Sequence, residues 1–226
     1  MKYKKYAALA ALVVCTSGVA HSATIGLVEF NAGTIAIFGG GNPNGNWVRA
    51  LSSAGVPAAS VELRFSERFV GGAENNNGAG TYTFDVGKEI NVEFSVGSSS
   101  TLDNYVYILV ADSDPTSGTS GTPSFPVSLI SDNSFGTSVT PNGGGIETTW
   151  ASGAPVSSVA QNSQQLGFPV LGEYTFSLTA YNASDTGLTN PLARTEATLN
   201  VVPEPSSILL GGIGGVGLLF LRRRKY

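Results

Sequence analysis

The chain has 226 residues, of which 12% are charged, with 12 basic against 16 acidic side chains and a formal charge of −4. Between Ala23 and Val202 the balance steepens to five basic residues (Arg49, Arg64, Arg68, Lys88, Arg194) against 15 acidic ones, a net −10. Such acidity argues against nucleic acid or anionic polymers as partners, since neutralising phosphate needs Lys and Arg. Divalent cations or neutral polysaccharide fit better, and solubility of an exported chain is the plainest explanation.

The first 22 residues read as a secretory signal peptide. Lys2, Lys4 and Lys5 form a basic start, Ala7 to Val14 a short apolar region, and Ala20-His21-Ser22 supplies small residues for cleavage between Ser22 and Ala23. A cut after Ala23 is nearly as good. The implied partners are the Sec translocon and signal peptidase. Cys15 follows an apolar run, but Val14 stands where a lipobox needs Gly or Ala, so lipidation is not expected. Cleavage removes the only Cys and the only His, leaving a chain without disulfide, thiol or imidazole.

The 180 residues from Ala23 to Val202 show alternation with period two and no sustained helical spacing. Thr24–Phe30 and Thr34–Phe38 flank Asn31-Ala32-Gly33, a hairpin signal. Trp47–Leu51 follows a Gly/Asn/Pro loop. In the run Val61 to Phe69, Val61, Leu63 and Phe65 share one face while Glu62, Arg64 and Ser66 share the other, and the phase slips near Glu67-Arg68, as at a bulge or strand end. Gly80–Val86 and Glu89–Val96 alternate cleanly around Gly87-Lys88, which reads as a hairpin turn. Tyr105–Ala111 is a denser apolar run, expected as a central strand buried on both faces. Asp112–Ser124 and Pro141–Gly145 are loops rich in Gly, Ser, Thr and Pro. Glu173–Tyr181 and Leu192–Val202 form the last two strands, paired as one antiparallel ribbon.

Short strands, frequent turns and no helical period predict an all-β body, an antiparallel β-sandwich of Ig-like or jelly-roll-like kind. One domain over residues 23–202 is expected, with the loop at 112–124 the one place where two half-size units could divide. The last two strands look like the terminal strands of Ig-like extracellular modules.

The end of the chain has three parts. Pro203-Glu204-Pro205 ends the last strand, because proline fixes its backbone and lacks an N–H. An uncharged run follows: Ile208, Leu209, Leu210, Gly211, Gly212, Ile213, Gly214, Gly215, Val216, Gly217, Leu218, Leu219, Phe220 and Leu221. As a single C-terminal transmembrane helix these 14 residues rise roughly 21 Å, short of a hydrocarbon core of about 30 Å. Arg222, Arg223, Arg224 and Lys225 act as a stop-transfer cluster and keep the C-terminus cytoplasmic. This tripartite end, with Val202-Pro203-Glu204-Pro205-Ser206, the glycine-rich apolar segment and the arginine cluster, resembles the PEP-CTERM sorting signal of Gram-negative bacteria. The resemblance covers residues 203–226, about a tenth of the chain. It implies export, an intermediate tethered to the inner membrane, processing by an exosortase-type membrane protease, and a final place at the cell surface or in the extracellular matrix of a biofilm.

Little chemistry survives inspection of the body. Ser–His–Asp, Cys–His and ordinary zinc sites are impossible without His and Cys. Gly39-Gly40-Gly41 and Gly143-Gly144-Gly145 are loops rather than phosphate cradles, since no strand-to-helix junction holds them. Lys88, the only lysine of the body, sits at a turn where nothing would depress its pKa. Glu62 and Glu93 could serve as paired carboxylates in glycoside hydrolysis, but both fall on polar strand faces where a solvated charge is the default, and Arg64 and Arg68 are placed to pair with Glu62 and Glu67. Asp112 and Asp114, spaced through Asp112-Ser113-Asp114, are a weak calcium candidate; an Asx turn explains them more simply. No other cofactor is expected. Asn182-Ala183-Ser184 fits a glycosylation sequon. Trp47, Tyr82, Tyr105, Tyr107 and Trp150 could stack on sugars, though filling the core or its rim is their commoner use. The expectation is a non-enzymatic structural or adhesive surface protein, associated with exopolysaccharide; the alternative is a secreted carbohydrate-binding module or glycoside-acting enzyme.

Overall fold

The computed structural model describes residues 28–32, 46–52, 58–70, 79–112, 114–116, 123–137, 145–167 and 169–204. The signal peptide with its cleavage point at Ser22 and Ala23, the expected strand Thr34–Phe38, Pro205, the apolar span and the terminal basic cluster lie outside these residues. Among the described residues, twelve strands form two sheets. Sheet A has seven, in the order β1 (Val28–Ala32), β2 (Trp47–Leu51), β3 (Ala59–Glu67), β5 (Ile90–Ser98), β10 (Val159–Gly167), β8 (Ser134–Gly136) and β9 (Ile146–Glu147). Sheet B has five: β4 (Thr81–Asp85), β12 (Pro191–Val202), β11 (Gly172–Asn182), β6 (Tyr105–Ala111) and β7 (Ser124–Pro126). A short α-helix, α1 (Trp150–Gly153), packs beside the core.

The period-two pattern explains why the sheets meet. Val61, Leu63 and Phe65 of β3 and Val92, Phe94 and Val96 of β5 turn one face of sheet A inward, against Phe176 and Leu178 of β11 and Ala197, Leu199 and Val201 of β12. Phe65 is the hinge of this core: its ring meets Phe176 at 5.2 Å and Tyr82 at 5.6 Å between centroids, both edge-on, the arrangement aromatic quadrupoles prefer. Thr195 of β12, also buried, donates its hydroxyl to the Val48 carbonyl of β2 at 3.0 Å and so ties one sheet to the other. Tyr107 of β6 reaches the Gly97 carbonyl of β5 at 3.0 Å, and burial pushes its phenol far above the usual tyrosine range, so it stays neutral. Strands on either side of residues 112–124 pair within both sheets: β5 with β10, β6 with β11, β4 with β12.

Several expectations need correcting. β1 continues through Asn31 and Ala32 and pairs with β2, so no turn occurs at those two residues. Gly87-Lys88 does not close a hairpin, because β4 belongs to sheet B and β5 to sheet A. Val86 still donates to the Val202 carbonyl of sheet B, and Gly87, at φ +89°, then turns the chain across to the other layer. Sheet B is mixed rather than antiparallel throughout, since β4 runs parallel to β12. β6 is not buried on both faces: only Tyr107 and Leu109, which join the core between the sheets, are buried. By contrast, β3 ends at Glu67, where the alternation slips, and Phe69 follows with φ +64°. The pairing of β11 with β12 also agrees, in register from Gly172↔Val201 to Ala180↔Ala193.

Truncating the aromatic that both sheets share tests this packing. Phe65→Ala should lower the unfolding free energy by about 3–5 kcal/mol in urea titrations. A loss below about 1 kcal/mol would mean that Phe65 does not join the two layers.

Candidate functional site

The face of sheet A turned away from sheet B carries the charged chemistry of the body. Register sets Glu29, Arg49, Glu62, Ser95, Gln161, Ser134 and Glu147 side by side in one row across all seven strands. The next row holds Arg64, Glu93 and Ser163, and a third holds Ser66, Asn91 and Gln165. Alternation correctly puts Glu62, Arg64 and Glu93 on this face, but the expectation of solvated charges is wrong. Glu62 is 0% exposed, Arg64 1% and Glu93 5%.

Burial dictates how these charges pair. Glu93 accepts from the Arg64 guanidinium on one oxygen and from the Ser66 hydroxyl, at 2.6 Å, on the other. The Arg64 guanidinium also lies 4.3 Å from the centre of the Trp47 ring. An ion pair removed from water is tolerated only when further bonds offset desolvation, and the hydroxyl and the indole face supply them here. The expected pairs Arg64–Glu62 and Arg68–Glu67 give way to cross-strand ones: Glu62 faces Arg49 at 3.9 Å, Arg68 binds Glu89, and Lys88 binds Glu67 at 3.0 Å. The sequence suggests pairing across the sheet surface, and the partners found lie on neighbouring strands or just past their ends.

Beside this network lies a cleft of about 420 Å³. Trp47, Glu93, Gln161, Ser163 and Gln165 form one side, and Asp132, Ser134 and Glu147 border it. The cleft continues along β10 beyond Gln161, where pairing with β8 stops. A chain of amides holds its rim. Gln164 donates to Asn162 at 2.8 Å, Asn162 donates to the Ser131 carbonyl at 2.7 Å and to Asn133 at 3.2 Å, and Asn133 donates to the Ile130 carbonyl at 2.8 Å. This chain fastens the 130–133 segment to β10 and presents Asp132, whose φ of +64° turns the backbone there. Sequence reading missed the cleft. Its one signal was the polar run Gln161-Asn162-Ser163-Gln164-Gln165 inside a strand.

The aromatic candidates separate by burial. Trp47, Tyr82 and Tyr107 are buried, and Tyr105 and Trp150 are half-buried. Trp150 packs edge-on against Phe135 and Tyr107. Of the five, Trp47 alone stands on the charged face, outside the main apolar cluster.

The calcium candidates are occupied by backbone donors. Asp112 is buried and accepts from the Asp114 N–H at 2.9 Å and the Thr175 N–H at 3.2 Å. Asp114 accepts from the Thr116 N–H at 3.0 Å. Gly172 makes this possible: a Cβ there would overlap the backbone of Pro115, whose carbonyl receives the Glu173 N–H at 3.1 Å. Among the described residues no group of three or more Asp, Glu, His or Cys could hold a metal ion. At the sequon, the side-chain Oδ1 of Asn182 accepts from the backbone N–H and the hydroxyl of Ser184.

At the end of the body, β12 stays paired through Val202, which stands opposite Asp85 and receives the Val86 N–H at 2.8 Å. Pro203 and Glu204 emerge immediately after it, both exposed. Residues 201–225 match the PEP-CTERM protein-sorting motif. The chain therefore carries the mark of an exported protein, anchored transiently in a membrane and processed by exosortase, itself a membrane protein. The motif begins inside the fold: Val201 is a buried core residue and the start of the match at once. No curated protein matches the chain. Among the described residues no helix is long and apolar enough to cross a membrane.

The Thr116 backbone bond, followed by the bond from its side chain, holds the Asp114 carboxyl below the usual aspartate range. A depressed folded-state pKa contributes stability above the unfolded pKa, lost as pH falls through the folded one. Asp114→Asn should therefore lower the melting temperature modestly at neutral pH, with the deficit shrinking from about pH 5 towards about pH 2. A deficit independent of pH would contradict a role for the charge.

Proposed function

We propose that this protein is a non-enzymatic structural or adhesive component of the cell surface or extracellular matrix, associated with exopolysaccharide. It would be delivered by Sec export, tethering through the apolar C-terminal segment, and exosortase cleavage. The observation that carries this reading is the junction at Val202. The two-sheet body reaches the sorting motif without a spacer, so body and signal form one unit. From Pro203 to Ser207 there are five residues, which extended reach at most about 18 Å. The tethered body would thus stand close to the bilayer, with the β4–β12 end nearest to it.

Several features support a role without catalysis. The two carboxylates that could pair for hydrolysis are engaged elsewhere, Glu93 by Arg64 and Ser66 and Glu62 by Arg49. The mature chain would contain neither His nor Cys. The backbone bonds of Asp112 and Asp114 support a loop that holds its shape without calcium.

The test is the fate of the precursor in the native cell. Replacing Pro203 and Glu204 with alanine should leave an uncut, membrane-bound form on immunoblots of fractionated cells, while the unaltered protein is shortened and released. Release of the altered protein at the same rate would contradict the sorting role assigned to these residues.

A further inference from the structure

We infer that the cleft beside Trp47 binds a neutral, hydroxyl-rich saccharide chain. This deepens the surface role proposed above and rests on it for the source of the ligand. Four observations point to that chemistry. The first is the supply of donors and acceptors. Ser163, which accepts from Asn91 at 3.1 Å, keeps a hydroxyl hydrogen to give, and Gln165, whose amide nitrogen donates to Glu89, keeps its amide oxygen; Gln161 and Ser134 add further polar groups and Asp132 and Glu147 carboxylates, all bordering one volume. A sugar hydroxyl both donates and accepts, so a mixed field of this kind suits it on every side.

The second is charge. Among the described residues, the only arginine beside the cleft floor is bound to Glu93, whereas Asp132 and Glu147 form no ion pair. The cleft is therefore net negative and repels uronate, sulfate or phosphate groups. The third is Trp47. It is 1% exposed, it lines the cleft, and its indole N–H is buried without a hydrogen-bond partner. Leaving such a donor unsatisfied costs about 1–3 kcal/mol, and a ligand oxygen able to reach it removes that cost.

The fourth is shape. A volume of about 420 Å³ lies within the range usual for small-ligand sites. A second hollow of about 450 Å³ shares Asp132 and Glu147 with it and continues past Leu129 to Trp150. Two hollows meeting at the same carboxylates accommodate consecutive units of a chain better than a single small molecule. The amide chain from Gln164 to Asn133 keeps the shared edge in place. No bond is made or broken in this reading.

The experiment is calorimetry and affinity electrophoresis of the full chain in detergent, with soluble neutral glucans and galactans in one arm and alginate in the other. At least one neutral polymer should bind and alginate should not. Ser163 is exposed on the cleft floor, so Ser163→Tyr should fill the cleft and weaken binding at least tenfold without shifting the unfolding midpoint. Gln165→Ala, also at an exposed position, should weaken it severalfold and guards against misfolding of the bulkier variant. Absence of binding by every neutral polymer, equal binding of alginate, or unchanged affinity in both variants would overturn the inference. Those failures would leave exosortase processing untouched, since cleavage and release are read on immunoblots without any glycan.

Discussion

The Arg64–Glu93 ion pair decides what kind of sheet sheet A can be. A β-sheet that packs on one side usually leaves charges on the other in water, and alternation along β3 and β5 is the ordinary signature of that arrangement. Here the second face is also buried over β3 and β5, so each charge there must meet a partner. Arg64 meets three groups at once: Glu93 directly, Ser66 through the shared carboxylate, and the Trp47 ring. The neighbouring row answers the same demand with Glu29, Arg49 and Glu62. Register between β2, β3 and β5 is thereby specified twice, by the apolar face and by the ionic one, because a slip of one residue would turn both inside out.

That double specification positions the cleft. Its floor is the continuation of the ionic rows into β10, where charged side chains are replaced by Gln161, Ser163 and Gln165. Its rim depends on a separate polar chain through Asn162 and Asn133, which draws the 130–133 segment onto the strand edge. The sorting motif depends on sheet B in a comparable way. β12 is held between β4 and β11 to its last residues, so Pro203 and Glu204 are delivered from a fixed point rather than from a floppy stalk.

Much of the fold was legible in the chain. Period-two alternation locates β2, β3, β4, β5, β11 and β12 closely, because each buries one apolar face against the other sheet. The sorting motif was legible as well, since two prolines, an apolar run and a basic end are local features. What alternation does not carry is assignment to a layer. Gly87-Lys88 looks like any hairpin turn, and only the Val86–Val202 bond shows that β4 stays with β12. Nor does it reveal burial of a polar face: Glu62 and Arg64 read as solvent-facing because their partners Arg49 and Glu93 lie 13 and 29 residues away in the chain. β10 escaped for a related reason, as its second half is nearly all amide and hydroxyl and has no apolar period to detect.

A double-mutant cycle on Arg64 and Glu93 tests the central claim most directly. Removing either partner alone, as Arg64→Met or Glu93→Leu, strands a buried charge and should cost about 3–5 kcal/mol. The double variant should cost much less than the sum, giving a coupling energy of at least about 1.5 kcal/mol. Single losses below about 1 kcal/mol that simply add would contradict the claim that this pair specifies the second face of sheet A.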